Sequence, residues 1–269
     1  MRAAGAIPLL LDLDAPVSRR HRRRIAALAP WALVLAPPSS EGAQDARARR
    51  LLRLLARTGR AARAAQESRR LVYVSTTGVY GDRKGAWTSE STTPAPSNER
   101  AQRRLDAEKA LRAGGARASV LRVPGIYAAD RLPRERFARD IPVPEAGRDI
   151  FTNHIHAEDL ARACESALMR AARTRVYNIV DDSQLLLGEY LDRVADRLGV
   201  ARPRRVPWQE LEAQAGPQRM SFLRESRRLG NERMKRELRI RLRYPDVDAG
   251  LKTAEPGLFQ AANRPSTDR

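Results

Sequence analysis

No internal disulfide is open to this sequence, because Cys164 is its only cysteine, and its surroundings, LARACESAL, read as the buried face of a helix where the thiol is core filler. Aromatic residues make up 5% of the chain, so stacking platforms for nucleic-acid bases are scarce. No apolar run nears the ~20 residues of a membrane span, and the first residues lack the apolar core of a signal peptide. A cytoplasmic location without a membrane partner is the expectation, and no metal site is expected.

Lysine is scarce too: four of the 51 basic residues are Lys and the rest are Arg. The net charge of +19 is regional. Residues 17–70 carry 14 Arg against 3 acids, and residues 201–243 carry 13 Arg and Lys against 5 acids. A clustered basic surface gathers phosphate by counterion release, which keeps a nucleic-acid-associated protein as an alternative. Arg and Ala pervade every helical stretch, however, and solvated helix faces account for most of the excess.

The 269 residues suffice for one large α/β unit with a small appended lobe. Short apolar runs alternate with amphipathic stretches, the rhythm of a parallel sheet covered by helices on both faces. Strands are predicted at 7–11, 31–36, 71–75, 119–123 and 176–180, each a continuous apolar run suited to burial on both sides. Helices are predicted at 18–29, 44–66, 97–113 and 157–171, with Gly114-Gly115 as a stop signal. Residues 39–50 read as a surface connection. After Val180 the pattern changes to helices at 187–198 and 231–238 around a Pro-broken basic stretch, 202–207. The organisation expected is a main body over 1–182, a small mainly helical C-terminal lobe over 183–253 and a disordered tail over 254–269.

The stretch Leu71-Val72-Tyr73-Val74-Ser75-Thr76-Thr77-Gly78-Val79-Tyr80-Gly81-Asp82 resembles the segment closing the fifth strand of extended short-chain dehydrogenases/reductases of the nucleotide-sugar epimerase type. The resemblance implies that Thr76 hydrogen-bonds the substrate oxygen that gains or loses hydride, in the crevice at the carboxyl ends of a doubly wound sheet. Read from the residues alone, Ser75, Thr76 and Thr77 equally suit backbone groups at a strand end. Arg122-Val123-Pro124-Gly125-Ile126-Tyr127 is similar to the element that passes the nicotinamide in that family, or else holds an ordinary turn. Phe151-Thr152-Asn153-His154-Ile155-His156-Ala157-Glu158-Asp159-Leu160-Ala161 resembles the segment leading from the substrate pocket into a helix, where His156 and Asp159 also suit a helix start. Leu11-Asp12-Leu13-Asp14 and Leu35-Ala36-Pro37-Pro38 resemble the segments near the adenine and its ribose, and the stretch from Ser221 to Leu242 is similar to the family's C-terminal lobe.

The resemblance implies a Rossmann-like fold and an NAD(P)-binding oxidoreductase or epimerase/dehydratase relative acting on a small polar or sugar-like substrate, with a homodimer as a compatible assembly. It assigns Thr76, Arg100 and Arg104 to catalysis; Asp12, Leu13, Ala36, Pro37, Ser75, Pro124, Gly125, Ile126 and Tyr127 to NAD or NADP; and Tyr80, Asn153 and His154 to substrate.

Two departures qualify these implications. The family carries a Tyr-x-x-x-Lys pair on the helix after the fifth strand, and here those slots fall on Arg100 and Arg104. Arginine stays protonated, so the pair can grip an anion but cannot shuttle a proton near neutral pH; the bland reading is two solvated side chains. The family also opens on a glycine-rich turn that approaches the cofactor pyrophosphate at a helix N-terminus, and the sequence has none. It reads as though a first βαβ unit were missing, which predicts impaired dinucleotide binding and either an open apolar edge at 31–36 or its pairing with 7–11. A non-catalytic dinucleotide sensor or scaffold is the second reading.

Overall fold

A computed structural model describes residues 5–21, 25, 30–55, 70–113, 117–172, 174–214 and 216–256. At its centre lies a four-stranded, all-parallel sheet of β1 (Trp31–Val34), β2 (Arg70–Thr76), β4 (Arg117–Val123) and β9 (Val176–Asn178), in the order β1-β2-β4-β9. The short β3 (Trp87–Thr88) lies outside it, as do β5 (Gly125–Tyr127), β6 (Val143–Pro144), β7 (Phe151–Thr152) and β8 (His154–His156).

Continuous apolar runs make these central strands because both faces of the sheet are covered. Leu71 and Tyr73 pack with Val120 against α1 (Ala46–Leu55) and α2 (Glu99–Ala113), through Ala48, Leu55, Ala107 and Leu111. Val72 and Leu121 face the other way, against Ala163, Cys164 and Ala167 of α4 (Ala157–Arg170); α3 (Arg134–Ala138) precedes it. Each fully buried side chain of this size contributes about 1.5–3 kcal/mol. Cys164 is core filler as expected, its thiol pushed up to about 11 by burial.

The chain past residue 182 does not stand apart from this body. It contributes β10 (Leu185–Leu186), α5 (Leu187–Leu198), β11 (Arg205–Val206), α6 (Trp208–Gln214), α7 (Pro217–Leu223), β12 (Arg228–Leu229), α8 (Glu232–Glu237) and α9 (Val247–Leu251). Three two-stranded ladders tie it back: β10 to β7, β11 to β6 and β12 to β3. A third apolar cluster joins Tyr127, Leu132 and Val143 to Tyr190, Leu191 and Val194 of α5 and to Val247 and Leu251 of α9. Asp159, fully buried in the first turn of α4, accepts hydrogen bonds from the backbone N–H groups of Arg243 (2.9 Å) and Tyr244 (2.8 Å).

Several expectations are corrected. Residues 7–11 form no strand; Ile7 is 91% and Leu10 100% exposed. A run of apolar residues becomes a strand only where a neighbour completes its ladder, and among the described residues none does. Among the described residues β1 pairs with β2 alone and not with 7–11, and Trp31 is 55% and Leu35 61% exposed at that edge. The 39–50 connection is not merely superficial, since Ser39 and Asp45 are buried and Asp45 accepts from Ala48 N–H (3.0 Å) in the first turn of α1. Ala254, assigned to the tail, is buried in the third cluster. The remainder of that tail, 257–269, lies outside the described residues, as do most of the predicted 18–29 helix and the 56–66 part of the 44–66 helix.

Candidate functional site

The carboxyl ends of β2 and β4 are adjacent, with Thr76 opposite Val123 in the ladder. Directly after β2 the chain tightens into a single 3-10 turn, Thr77–Tyr80. Thr76 caps it: the half-buried hydroxyl accepts from Gly78 N–H at 3.2 Å and keeps its own proton for another acceptor. The turn ends at Gly81, whose φ of 68° and ψ of −165° suit glycine alone; a Cβ there would stand 2.0 Å from the Ala95 carbonyl oxygen.

Ser75 points away from the crevice. Its buried hydroxyl donates to Glu108 Oε1 at 2.6 Å, and Glu108 in turn receives Arg122 Nε (3.2 Å) and Nη2 (2.8 Å). Glu108 and Arg122 are both almost wholly buried. Burial alone would lower the Arg122 guanidinium, but the Glu108 hydrogen bonds and charge outweigh it and raise the group above its ordinary value. Arg122 also lies 4.6 Å from the centre of the Tyr80 ring, whose hydroxyl donates to Asn178 Oδ1 at 2.7 Å. Ser75 and Tyr80 are thus corrected as ligand residues at the side-chain level, for their polar atoms are consumed by an internal network joining α2, the sheet and β9.

Asn98 Oδ1 accepts from Ala101 N–H at 2.9 Å and opens α2, which carries the two replaced positions. Arg100 is exposed, with no partner among the described residues. Arg104 reaches across the strand ends: Nη1 donates to the Ala36 carbonyl (3.1 Å), the Val74 carbonyl (3.0 Å) and the Tyr73 hydroxyl (3.0 Å). Burial pushes Tyr73 up to about 12 against the opposing pull of Arg104. Arg104 therefore ties the segment just past β1 to the carboxyl end of β2.

Past β4, Pro124 is half-buried while Gly125 and Ile126 are exposed. Tyr127 and His154 are corrected. Tyr127 is a core residue whose hydroxyl donates to the Asp246 carbonyl at 3.1 Å, and burial raises its pKa strongly. His154 is buried, stacked on Tyr190 at 3.8 Å, and desolvation depresses it to about 3, so its ring sits neutral in the core. Its carbonyl accepts from Asp181 N–H at 2.8 Å; burial pushes the Asp181 carboxyl up to about 7 although Ser183 N–H bonds it at 2.9 Å. His156 is the helix-start residue of α4, accepting from Glu158 N–H at 3.3 Å.

Asn153 is half-buried and already engaged: its Nδ2 donates to the Arg227 carbonyl (2.9 Å) and its Oδ1 accepts from Leu229 N–H (3.1 Å). Asp12 is exposed and accepts from Asp14 N–H at 2.7 Å, and the Leu13 carbonyl accepts from Arg50. These contacts hold 12–14 against α1, where Asp14 pairs with Arg47 at 2.5 Å, and not beside Thr76. Ala36 and exposed Pro37 do lie at the carboxyl end of β1, beside the Arg104 clamp. The residues assembled at one place are therefore Thr76, Arg104, Ala36 and Pro124–Ile126, with Arg100 one helical turn before Arg104.

The family model described as RmlD substrate binding domain matches residues 41–237. A functionally unknown conserved protein from Silicibacter pomeroyi DSS is similar at 30% identity and a TM-score of 0.75, over 93% of this chain and 83% of its own. UDP-glucuronic acid 4-epimerase from Bacillus cereus, in complex with NAD, shares the fold at 13% identity and a TM-score of 0.67, over 91% of this chain and 77% of its own. RMD from Pseudomonas aeruginosa, complexed with NADPH, shares it at 17% identity and a TM-score of 0.64, over 93% and 90%. No curated protein matches the chain.

Proposed function

Because this chain belongs to the RmlD substrate binding domain family, of the extended short-chain dehydrogenase/reductase type, we propose that it binds a nicotinamide dinucleotide and acts as an oxidoreductase or epimerase/dehydratase on a small polar substrate. The observation that supports the reading is the ladder partnership of Thr76 with Val123, which brings the strand end that carries this hydroxyl next to the end of β4, from which Pro124 leads to the exposed Gly125 and Ile126. Structures of the same fold hold NAD or NADPH.

The residues present fit the nicotinamide and ribose end of such a cofactor. Gly125 and Ile126 offer an uncharged surface, and Arg104 fixes the β1 and β2 ends on which a ribose would rest. No glycine-rich turn serves the pyrophosphate, so affinity is expected to be low. When bound, the cofactor supplies hydride acceptance or donation. The chain's own part is to hold the substrate oxygen at the Thr76 hydroxyl beside the exposed Gly125 and Ile126. A guanidinium is a poor proton shuttle, so proton exchange at that oxygen would pass through the threonine hydroxyl to water.

Saturation-transfer NMR with NADH and NADPH tests this reading, since it registers weak binding. Transfer to the nicotinamide protons, weakened by Ile126→Asp, is the expected result. Absence of transfer from both dinucleotides would overturn it.

The two arginines favour a second reading, a non-catalytic dinucleotide sensor. Turnover of a carbonyl or sugar substrate that Thr76→Val abolishes would exclude it. The nucleic-acid alternative loses ground because aromatic residues make up 5% of the chain, which leaves few platforms on which bases could stack.

A further inference from the structure

Among the cations of the C-terminal segment, Arg228 stands out. Its neighbours are neutralised: Arg224 by Glu212, Arg227 by Glu225, Arg233 by Glu90 and Lys235 by Asp182. Arg228 has no carboxylate partner among the described residues. Its guanidinium is gripped between two rings, with Trp87 centred 5.2 Å away and Phe151 4.8 Å away, and Nε donates to the Gly85 carbonyl at 2.8 Å. The two terminal nitrogens meet no acceptor among the described residues and are not buried. Trp87 itself is 58% exposed.

Such a group is a prepared receptor. The rings take water from the guanidinium faces, the Nε bond fixes its plane, and the remaining pair of N–H₂ groups presents the parallel fork that suits a carboxylate or a phosphate.

Topology places the receptor on the ligand side of the sheet. Trp87 lies on the segment that follows the carboxyl end of β2 and its 3-10 turn. Phe151 leads into β8, which pairs with β5 beyond the carboxyl end of β4. Ligands of doubly wound sheets bind at that end.

We propose that Arg228, held between Trp87 and Phe151, anchors the oxyanion group of this protein's small-molecule ligand, a phosphate or a carboxylate carried next to a flat portion that rests on Trp87. The site deepens the dinucleotide-dependent reading, and it rests on that reading only for naming the occupant a substrate.

The test is calorimetric titration of the full chain, without dinucleotide, by inorganic pyrophosphate and separately by malonate; the tighter of the two separates a phosphate from a carboxylate ligand. Arg228→Lys keeps the charge but loses the fork and is expected to weaken binding about tenfold, with a larger loss for Arg228→Met. Arg53→Met, at an exposed cation on α1, is expected to leave affinity unchanged. A second readout keeps Arg228 intact: in Trp31→Phe/Trp208→Phe, Trp87 is the sole tryptophan, and its emission should change over the same concentration range. The proposal is overturned if neither anion binds, if Arg228→Met binds as the native chain does, if Arg53→Met loses as much, or if Trp87 emission does not respond. Because no dinucleotide is present, failure here leaves the NMR test above to be decided separately.

Discussion

Replacing Glu108 by Leu should be among the most damaging single changes in this protein, and restoring apolar consistency should undo it. The Glu108 carboxylate meets Arg122 through two hydrogen bonds of 3.2 and 2.8 Å and takes a third from Ser75 at 2.6 Å, all out of solvent. Removing one partner of such a pair leaves a buried charge uncompensated and costs about 3–5 kcal/mol. The orphaned Ser75 hydroxyl adds about 1 kcal/mol. The Tyr80 ring, 4.6 Å from the guanidinium, recovers only part of this, and Arg122 Nη1 has no hydrogen-bond partner among the described residues. For a chain of this size each kcal/mol shifts the melting temperature by about 2–4 °C, so a fall of roughly 10 °C is expected. Glu108→Leu combined with Arg122→Met removes both charges and should return to within ~1 kcal/mol of the native chain. Urea denaturation of the native chain, the two single variants and the double variant gives the coupling energy, the sum of the single losses minus the double loss, expected to be roughly 6 kcal/mol or more. A Glu108→Leu cost below ~1 kcal/mol, or a double variant whose loss equals the sum of the singles, would refute the argument.

Two further predictions concern the surroundings of the crevice. Asp181 and His154 are adjoining buried groups shifted in opposite senses. The Asp181 contribution to stability is fully present below about pH 4 and fades as pH rises through about 7. That of His154 is fully present above about pH 6.5 and fades as pH falls toward about 3. Their slopes oppose each other between pH 4 and 6.5, so Asp181→Asn should uncover a stability that climbs with pH across that window in urea melts; a profile parallel to the native one would count against it. At the end of the 3-10 turn, Gly81→Ala should cost about 3 kcal/mol or more and lower the melting temperature by roughly 6–12 °C, because backbone and Cβ are both refused there. A loss below ~0.5 kcal/mol would remove the case for a glycine-only turn.

The central sheet was legible because Leu71–Val74 is an unbroken apolar run and Ser119–Val123 is apolar but for Ser119 and Arg122, a pattern that suits a strand covered on both faces. The same rule misread residues 7–11, since composition says nothing about whether a ladder partner exists. Two-residue strands such as β3 and β12 carry no local pattern; each exists only because the other lies 141 residues away in the chain. Within the site, Thr76 and Pro124–Ile126 lie at the crevice side of the sheet, but Tyr80, Tyr127 and His154 show the limit of residue type as a guide. Each has a polar tip fit for ligand binding, and each spends its ring in the core, a choice settled by neighbours far along the chain. Arg228 escaped notice for the converse reason: one Arg among many has no local signal until its rings and missing carboxylate are seen in space.

The carboxamide of Asn153 has a consequence for how the C-terminal lobe is aligned. Donating to one carbonyl and accepting from the N–H two residues on, it imitates a peptide group, a strand one residue long laid beside β12. A slip of β12 by a single position would confront that amide with the wrong polarity at both atoms. One side chain thereby works as a vernier, selecting a single alignment where a ladder two residues long leaves several nearly equal in energy.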